Sequence, residues 1–546
     1  MLARRTVLAV LALALVIPAS APARQAARPN APTGLKAFLL SYDESPSRNF
    51  SRTPSFAWHP LQRALSYEFQ LATSNRFREN SVVWSATGLK MPATSVPIAL
   101  PWVAGKPYSL FARVRAKTQR GTTHWSSSFG LNVRWTQIPA QLPAPNGLLR
   151  WTPIDGATAY QVWGVNIGGG ATKVHSVATN VTDMRDWFTF HQTLSWVGTA
   201  TWRVRAVRAT YGTAQNGQPS TSYGAWSPIF HTHAIPPSAS RITLHSTVSD
   251  VIGTVATPAA HALMPGFSWS GGESFSGTPY ELYRVYVFSD SDCVQPVLTG
   301  SVVGSPSWVP HLSGPLKLPQ SPDEIAKARS TILEDGDQSK GTFDLAHLEL
   351  TPSEKVPIPS SDSGGGTTEA QPRLDVWDRA WPSGVYYWTV VPVTWGINSF
   401  TGLLEYWDTE HPQDACAAGR IGTFGRVSQP IPTGSTTSYV VGLSVAGRVT
   451  SSSASRSPLV YGSPLVTWSP ALGANEYEIE WSRTRYPFAK AGSTTTPASS
   501  ASLPVGTGSW YYRVRGLNLN MGSASQNMTW SSIRKLRVAR PVFRIR

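Results

Sequence analysis

The stretch Pro464-Leu465-Val466-Thr467-Trp468, then Ser469-Pro470-Ala471-Leu472-Gly473-Ala474 and Tyr477, decides the fold of this chain. Val466-Thr467-Trp468 reads apolar-x-Trp, the two-residue period of a half-buried strand. Pro470 and Gly473 punctuate a turn, and Tyr477 opens the next strand. The same phrase recurs as Phe56-Ala57-Trp58, Leu149-Arg150-Trp151 and Phe267-Ser268-Trp269. Pro54, Pro265 and Pro464 each stand four residues before the Trp, and Tyr67, Tyr160 and Tyr477 each follow it by nine. Strand, short turn, strand, with an indole placed to fill a core, repeats four times. The expected structural core is Trp58, Trp151, Trp269 and Trp468 with Tyr67, Tyr160 and Tyr477.

A second phrase closes each unit. Gly198 leads to Trp202-Arg203-Val204-Arg205, Gly384 to Trp388-Thr389-Val390-Val391, and Gly508 to Tyr512-Arg513-Val514-Arg515. The first unit is looser, running from Gly105 through Tyr108 and Phe111 to Arg113-Val114-Arg115. Trp125-Ser126, Trp226-Ser227 and Trp530-Ser531 end three units; the third lacks this pair. Taken together, these residues resemble the fibronectin type III family of β-sandwiches, and the chain is similar to exported actinobacterial proteins built of such repeats. The resemblance implies an all-β chain of four seven-stranded, two-sheet sandwiches of roughly 100 residues each. It implies fold far more than function.

Boundaries are expected at prolines, giving domains over 24–138, 139–236, 237–432 and 433–546. Short proline-bearing junctions restrict the backbone and predict a semi-extended rod. The third unit carries about 70 extra residues, 310–379. Ser321-Pro322-Asp323-Glu324 reads as a capped helix start, with Ile325, Ala328 and Ile332 on one helical face and Gly336 as its stop, and Pro359 opens a polar, glycine-rich loop.

Arg4-Arg5, the eleven-residue apolar run Val7 to Ile17, and Ala19-Ser20-Ala21-Pro22-Ala23 form a secretory signal over residues 1–23. No later stretch is long and apolar enough to span a bilayer. The expectation is a secreted protein with no transmembrane segment after cleavage. Export permits a disulfide, and Cys293 and Cys416 are the only cysteines. They flank the insertion, after the strand led by Tyr283 and beyond the strand of Trp388, so a bridge between them is predicted to staple the sheet.

The net charge of +16 on 546 residues suits a solubilising surface and also attraction to anionic envelope polymers. No nucleophile elbow, zinc-binding helix, dinucleotide loop or phosphate loop is present. Gly168-Gly169-Gly170-Ala171-Thr172-Lys173 reads as a hairpin turn. Asp290/Asp292, Asp335/Asp337 and His231/His233 lack the further ligands that a metal needs. Neither a cofactor nor a metal is expected. The alternating registers set Glu478 and Glu480 against Arg513 and Arg515, Glu68 and Gln70 against Arg113 and Arg115, and Gln161 and Trp163 against Arg203 and Arg205. Arginines at fixed sandwich positions with partners opposite describe cross-strand pairing better than a nucleic-acid surface.

The reading is a secreted, non-enzymatic structural, adhesive or spacer protein whose partner is an envelope protein or polysaccharide. The alternative is a glycan-binding accessory protein, since 22 tryptophans exceed what four cores need. Trp84, Trp163, Trp187, Trp308, Trp377 and Trp381 are the candidate sugar contacts.

Overall fold

The computed structural model describes residues 30–45, 47–103, 108–167, 171–183, 199–211, 220–233, 241–248, 260–261, 265–272, 282–300, 302–310, 321–327, 356–357, 384–397, 399–400, 403–426, 437–519, 526–528 and 530–540. The fold is all-β, with short helical turns such as Pro412–Ala417 between strands.

The strands fall into consecutive groups. In the first, Lys36–Phe38, Ser55–Ala57 and Ala93–Thr94 form a small sheet. It faces a larger one ordered Asn49–Phe50, Phe129–Val133, Tyr108–Thr118, Ala64–Ala72, Val82–Leu89. In the second, Leu148–Arg150 and Val181–Asp183 lie opposite Ala171–Val177, Ala159–Ile167, Thr199–Thr210 and Ser220–Tyr223. In the third, Thr243–Leu244, Phe267–Ser270 and Ser307–Trp308 lie opposite a sheet centred on Leu282–Phe288 and Gly384–Ile397. In the fourth, Leu459–Trp468 pairs antiparallel with Ser438–Leu443 and parallel with Arg534–Ala539, joining both layers into one sheet.

Burial of the phrase tryptophans organises each core. Trp58, Trp151, Trp269 and Trp468 are at most 1% exposed. Tyr67, Tyr160 and Tyr477 each set a ring edge-on to the indole at 5.4–5.6 Å. Their hydroxyls accept the turn N–H of Leu61, Ile154 and Ala471 at 2.9, 2.8 and 3.0 Å. One side chain thus fills the core and satisfies a backbone donor that burial would leave costly. In the third group Tyr283, fourteen residues after Trp269, takes the ring position at 5.4 Å and donates to the Gly271 carbonyl at 3.3 Å.

The expected rod is overturned. The small sheets of the first and fourth groups pack outer face to outer face, burying Phe38, Ala57, Met91 and Ala93 against Val441, Leu443, Val449 and Leu465. Ser55 donates to Ser500 at 2.9 Å and Thr467 to the Leu40 carbonyl at 2.5 Å across this seam. The second and third groups meet through their small sheets as well. Leu148 and Val181 pack on Val309, Ser307 donates to the Gly147 carbonyl at 2.6 Å, and Asp183 accepts from Val309 N–H at 2.6 Å. The physical reason is that the outward positions of these strands are small or apolar, not charged, so water is a poor neighbour for them. The proline junctions restrict the chain locally but do not hold the groups apart.

The insertion contributes to closure. Ser321 Oγ accepts Glu324 N–H at 3.2 Å and its carbonyl accepts Ile325 N–H at 2.9 Å, capping a helical turn over 322–327. Ile325 is buried with Tyr211 of the second group and Leu517 and Leu519 of the fourth. Ala328, Ile332, Gly336 and the loop opened by Pro359 lie outside the described residues.

Candidate functional site

The outer faces of the larger sheets carry the chain's ordered charge. In the first group Arg113 lies 4.1 Å from the ring centre of Phe77 and 4.3 Å from that of Trp125, and Arg115 lies 4.4 Å from that of Trp125. The fourth group repeats the stack as Phe488, Arg513, Trp530, Arg515 at 4.4, 4.3 and 4.5 Å. Position follows from sequence: the alternating strand presents both arginines outward, and the Trp-Ser phrase delivers an indole between them. The serine locks that phrase down. Ser126, Ser227 and Ser531 accept the N–H of Val114, Val204 and Val514 at 3.1, 3.0 and 3.0 Å through their hydroxyls, and return their own N–H to the same residues' carbonyls.

Each arginine also has a cross-strand partner at the expected register. Arg115 meets Glu68 at 2.5 Å, Arg515 meets Glu478 at 2.8 Å, and Arg205 donates to Gln161 at 3.0 and 2.7 Å. Arg113 donates to Gln70 at 2.9 and 2.6 Å, and Arg513 to Glu480 at 3.0 and 2.9 Å. Burial lowers the pKa of Arg113, and the neighbouring charge of Arg115 adds to the effect.

The second group departs from this pattern at one rung. Trp163 occupies the strand position of Gln70 and Glu480, and Arg203 lies 3.3 Å from its ring centre and 4.7 Å from that of Trp226. The two indoles are 5.7 Å apart. The Arg203 Nε–H is buried and has no acceptor among the described residues. Desolvation moves the Arg203 pKa down.

Among the described residues the third group has no such ladder. On the corresponding face Tyr286, Phe288 and Val391 are roofed by the helix Pro412–Ala417, and Cys293 is joined to Cys416 beneath it. Arg284 and Tyr286 share Asp408, with Arg284 at 3.1 Å.

Where the first, second and fourth groups converge, Ser51 and Arg52 both donate to Asp155, Arg52 also reaches Ser499, and Arg208 donates to the carbonyls of Leu100 and Gly156 at 2.6 and 2.7 Å. Burial favours the neutral acid at Asp155. The charge of Arg52, hydrogen bonds from Ser51 and Arg52, and the charge of Arg208 outweigh it and hold the carboxyl below its ordinary range. Burial brings Arg208 down to about 10, still protonated at neutral pH, and pushes Tyr477 up to about 12. The cavity here is about 30 Å³, enough for water and too small for a substrate. Charge at this junction fastens the groups together.

Of the candidate sugar contacts, Trp308 is corrected: it is fully buried, stacked on Phe267 at 5.8 Å, because its strand closes the small sheet against the second group. Trp84 is half-buried against Phe69 at 5.7 Å. Trp187, Trp377 and Trp381 lie outside the described residues. Trp163 is half-buried on an outer sheet face. Asp290 accepts the N–H of Val294 and Gln295 at 2.9 and 2.7 Å, a loop brace, and His231 approaches Thr201 at 3.3 Å. The strands flanking Gly168–Gly170 pair as a hairpin, Ile167 opposite Ala171. Among the described residues no helix is long and apolar enough to cross a membrane. The junction residues Arg52, Asp155 and Arg208 were not singled out from sequence; Asp155 beside Gly156 in the turn phrase was their only local signal.

No family model matches this chain. No curated protein matches it either. Solved structures similar to parts of it include a two fibronectin type III domain segment of chicken tenascin, 13% identical, covering 36% of this chain and 98% of that one at a TM-score of 0.17. The chicken interferon gamma receptor alpha chain is 10% identical, covering 37% and 98% at 0.18. Three fibronectin-type domains of chicken CNTN1 are 14% identical, covering 52% and 87% at 0.16.

Proposed function

We propose that this chain is an exported, non-catalytic structural or adhesive protein of the cell envelope. Its four fibronectin type III-like sandwiches span 24–138, 139–236, 237–432 and 433–546, and residues 1–23 direct export. The observation that supports this reading most is the pair of seams joining the first group to the fourth and the second to the third. They favour a folded-back platform over a spacer rod and leave the ladder faces turned outward. The carboxylates of Asp155, Glu478 and Glu480 are committed to arginines rather than grouped around a cleft. A net charge of +16 favours retention on an anionic surface. Fractionation of the producing cell tests it. The expected product begins near residue 24, sits in the envelope fraction and is released by high salt, because ionic attraction is screened. Recovery of an unprocessed chain inside the cell would overturn the proposal.

A further inference from the structure

From the substituted rung of the second ladder, we infer that Arg203 and Trp163 form a binding site for the carboxylate of a uronic-acid polysaccharide. Three ladders with one plan make the comparison internal to the molecule. In the first and fourth groups the outer arginine spends its guanidinium fork on Gln70 or Glu480. In the second, Trp163 stands at that position and covers the guanidinium plane. Among the described residues Arg203 donates no hydrogen bond; its Nε–H is buried, while the side chain as a whole is half-buried. A planar cation stacked on one indole and flanked by a second, tilted at 52° to the first, is restricted, and its open edge suits a two-oxygen acceptor. The flanking indole adds an apolar plane, which complements the C–H face of a pyranose.

A uronate carries both features on one ring. A flexible acidic peptide carries only the charge. Gln161 and Arg205 are already paired with each other, so among the described residues the cation of this ladder without a hydrogen-bonded partner is Arg203. The chain's positive net charge raises the local concentration of an anionic polymer around the site. All the residues involved lie between Ala159 and Ser227, so the site does not depend on the platform reading and survives if that reading fails.

Calorimetric titration of the full exported chain with a galacturonate oligomer tests the inference, with a neutral galactose oligomer and a glutamate oligomer of equal length at the same ionic strength. Saturable binding of the galacturonate oligomer alone is expected. Arg203→Gln should weaken it at least tenfold. Trp163→Glu supplies the carboxylate that Glu480 gives Arg513, so the ladder is completed, the fold is kept and binding is lost. That variant decides the matter should Arg203→Gln fold poorly. Equal binding by the glutamate oligomer, no binding of galacturonate, or undiminished binding by Trp163→Glu would each overturn the proposal.

Discussion

Gly156 meets two demands at once. Its φ of +82° lies in the left-handed region that side chains avoid, and a Cβ there would stand 2.0 Å from the Ser51 carbonyl oxygen of the first group. Gly156→Ala should therefore loosen the seam between the first and second groups while leaving both cores intact. The check is limited proteolysis within 134–147, expected to be faster in the variant at unchanged strand content. Trp468 poses a different residue-scale question, because its buried Nε1 has no hydrogen-bond partner. Trp468→Ala should cost about 3–5 kcal/mol, whereas Trp468→Phe sacrifices no hydrogen bond and should cost markedly less. Denaturant unfolding of the two variants checks the order. Trp468 was legible from sequence through the alternation around it. The approach of Ser51 to Gly156 was not, because it depends on a partner about a hundred residues away in the chain.

At the scale of elements, the third group shows how one strand plan supports two surfaces. Val391 replaces the second arginine of the central strand, so the outer face becomes apolar and requires a cover. The helix Pro412–Ala417 supplies it, held by the Cys293–Cys416 bridge. The bridge closes a separation of 123 residues that includes the insertion, and a loop of that size contributes on the order of 4–5 kcal/mol in the chain-entropy model. Replacing both cysteines by serine should lower the melting transition of the third group and leave that of the first unchanged. Hydrogen exchange resolved along the chain reads both. The strand partners were legible because Tyr283 and Trp388 head recognisable phrases. The helical roof was not, since six residues carry too little periodicity to announce a helix.

At the scale of the molecule, the four groups fold back on each other, and two measurements test the arrangement. Scattering by the mature chain should give a radius of gyration near the roughly 24 Å of a compact body of this length; a markedly larger value would restore the rod. Sequence missed the closure for a definite reason. Residues such as Ser55, Ala57 and Thr467 are ordinary on an exposed strand, and their burial on the outward face appears only when another sheet covers them. The second measurement concerns acid. His261 is 3% exposed, lies 2.8 Å from Thr247, and its pKa is brought down to about 4 by burial first and by the positive charge of Arg150 across the seam between the second and third groups. Its folded pKa is thus below the ordinary value of 6.5, so the unfolded chain binds the proton first as pH falls. Stability should be unaffected above pH 7, decline from about 6.5 toward 4, and lose about 2 kcal/mol by pH 5 from this group. Burial depresses His245 in the same direction. Asp155 cannot produce this loss, because its lowered carboxyl pKa confines its effect to pH values below about 4. Unfolding the wild type and His261→Gln at pH 7 and pH 5 separates the cause. The variant should lose less stability on acidification, and an equal loss would place the acid sensitivity elsewhere.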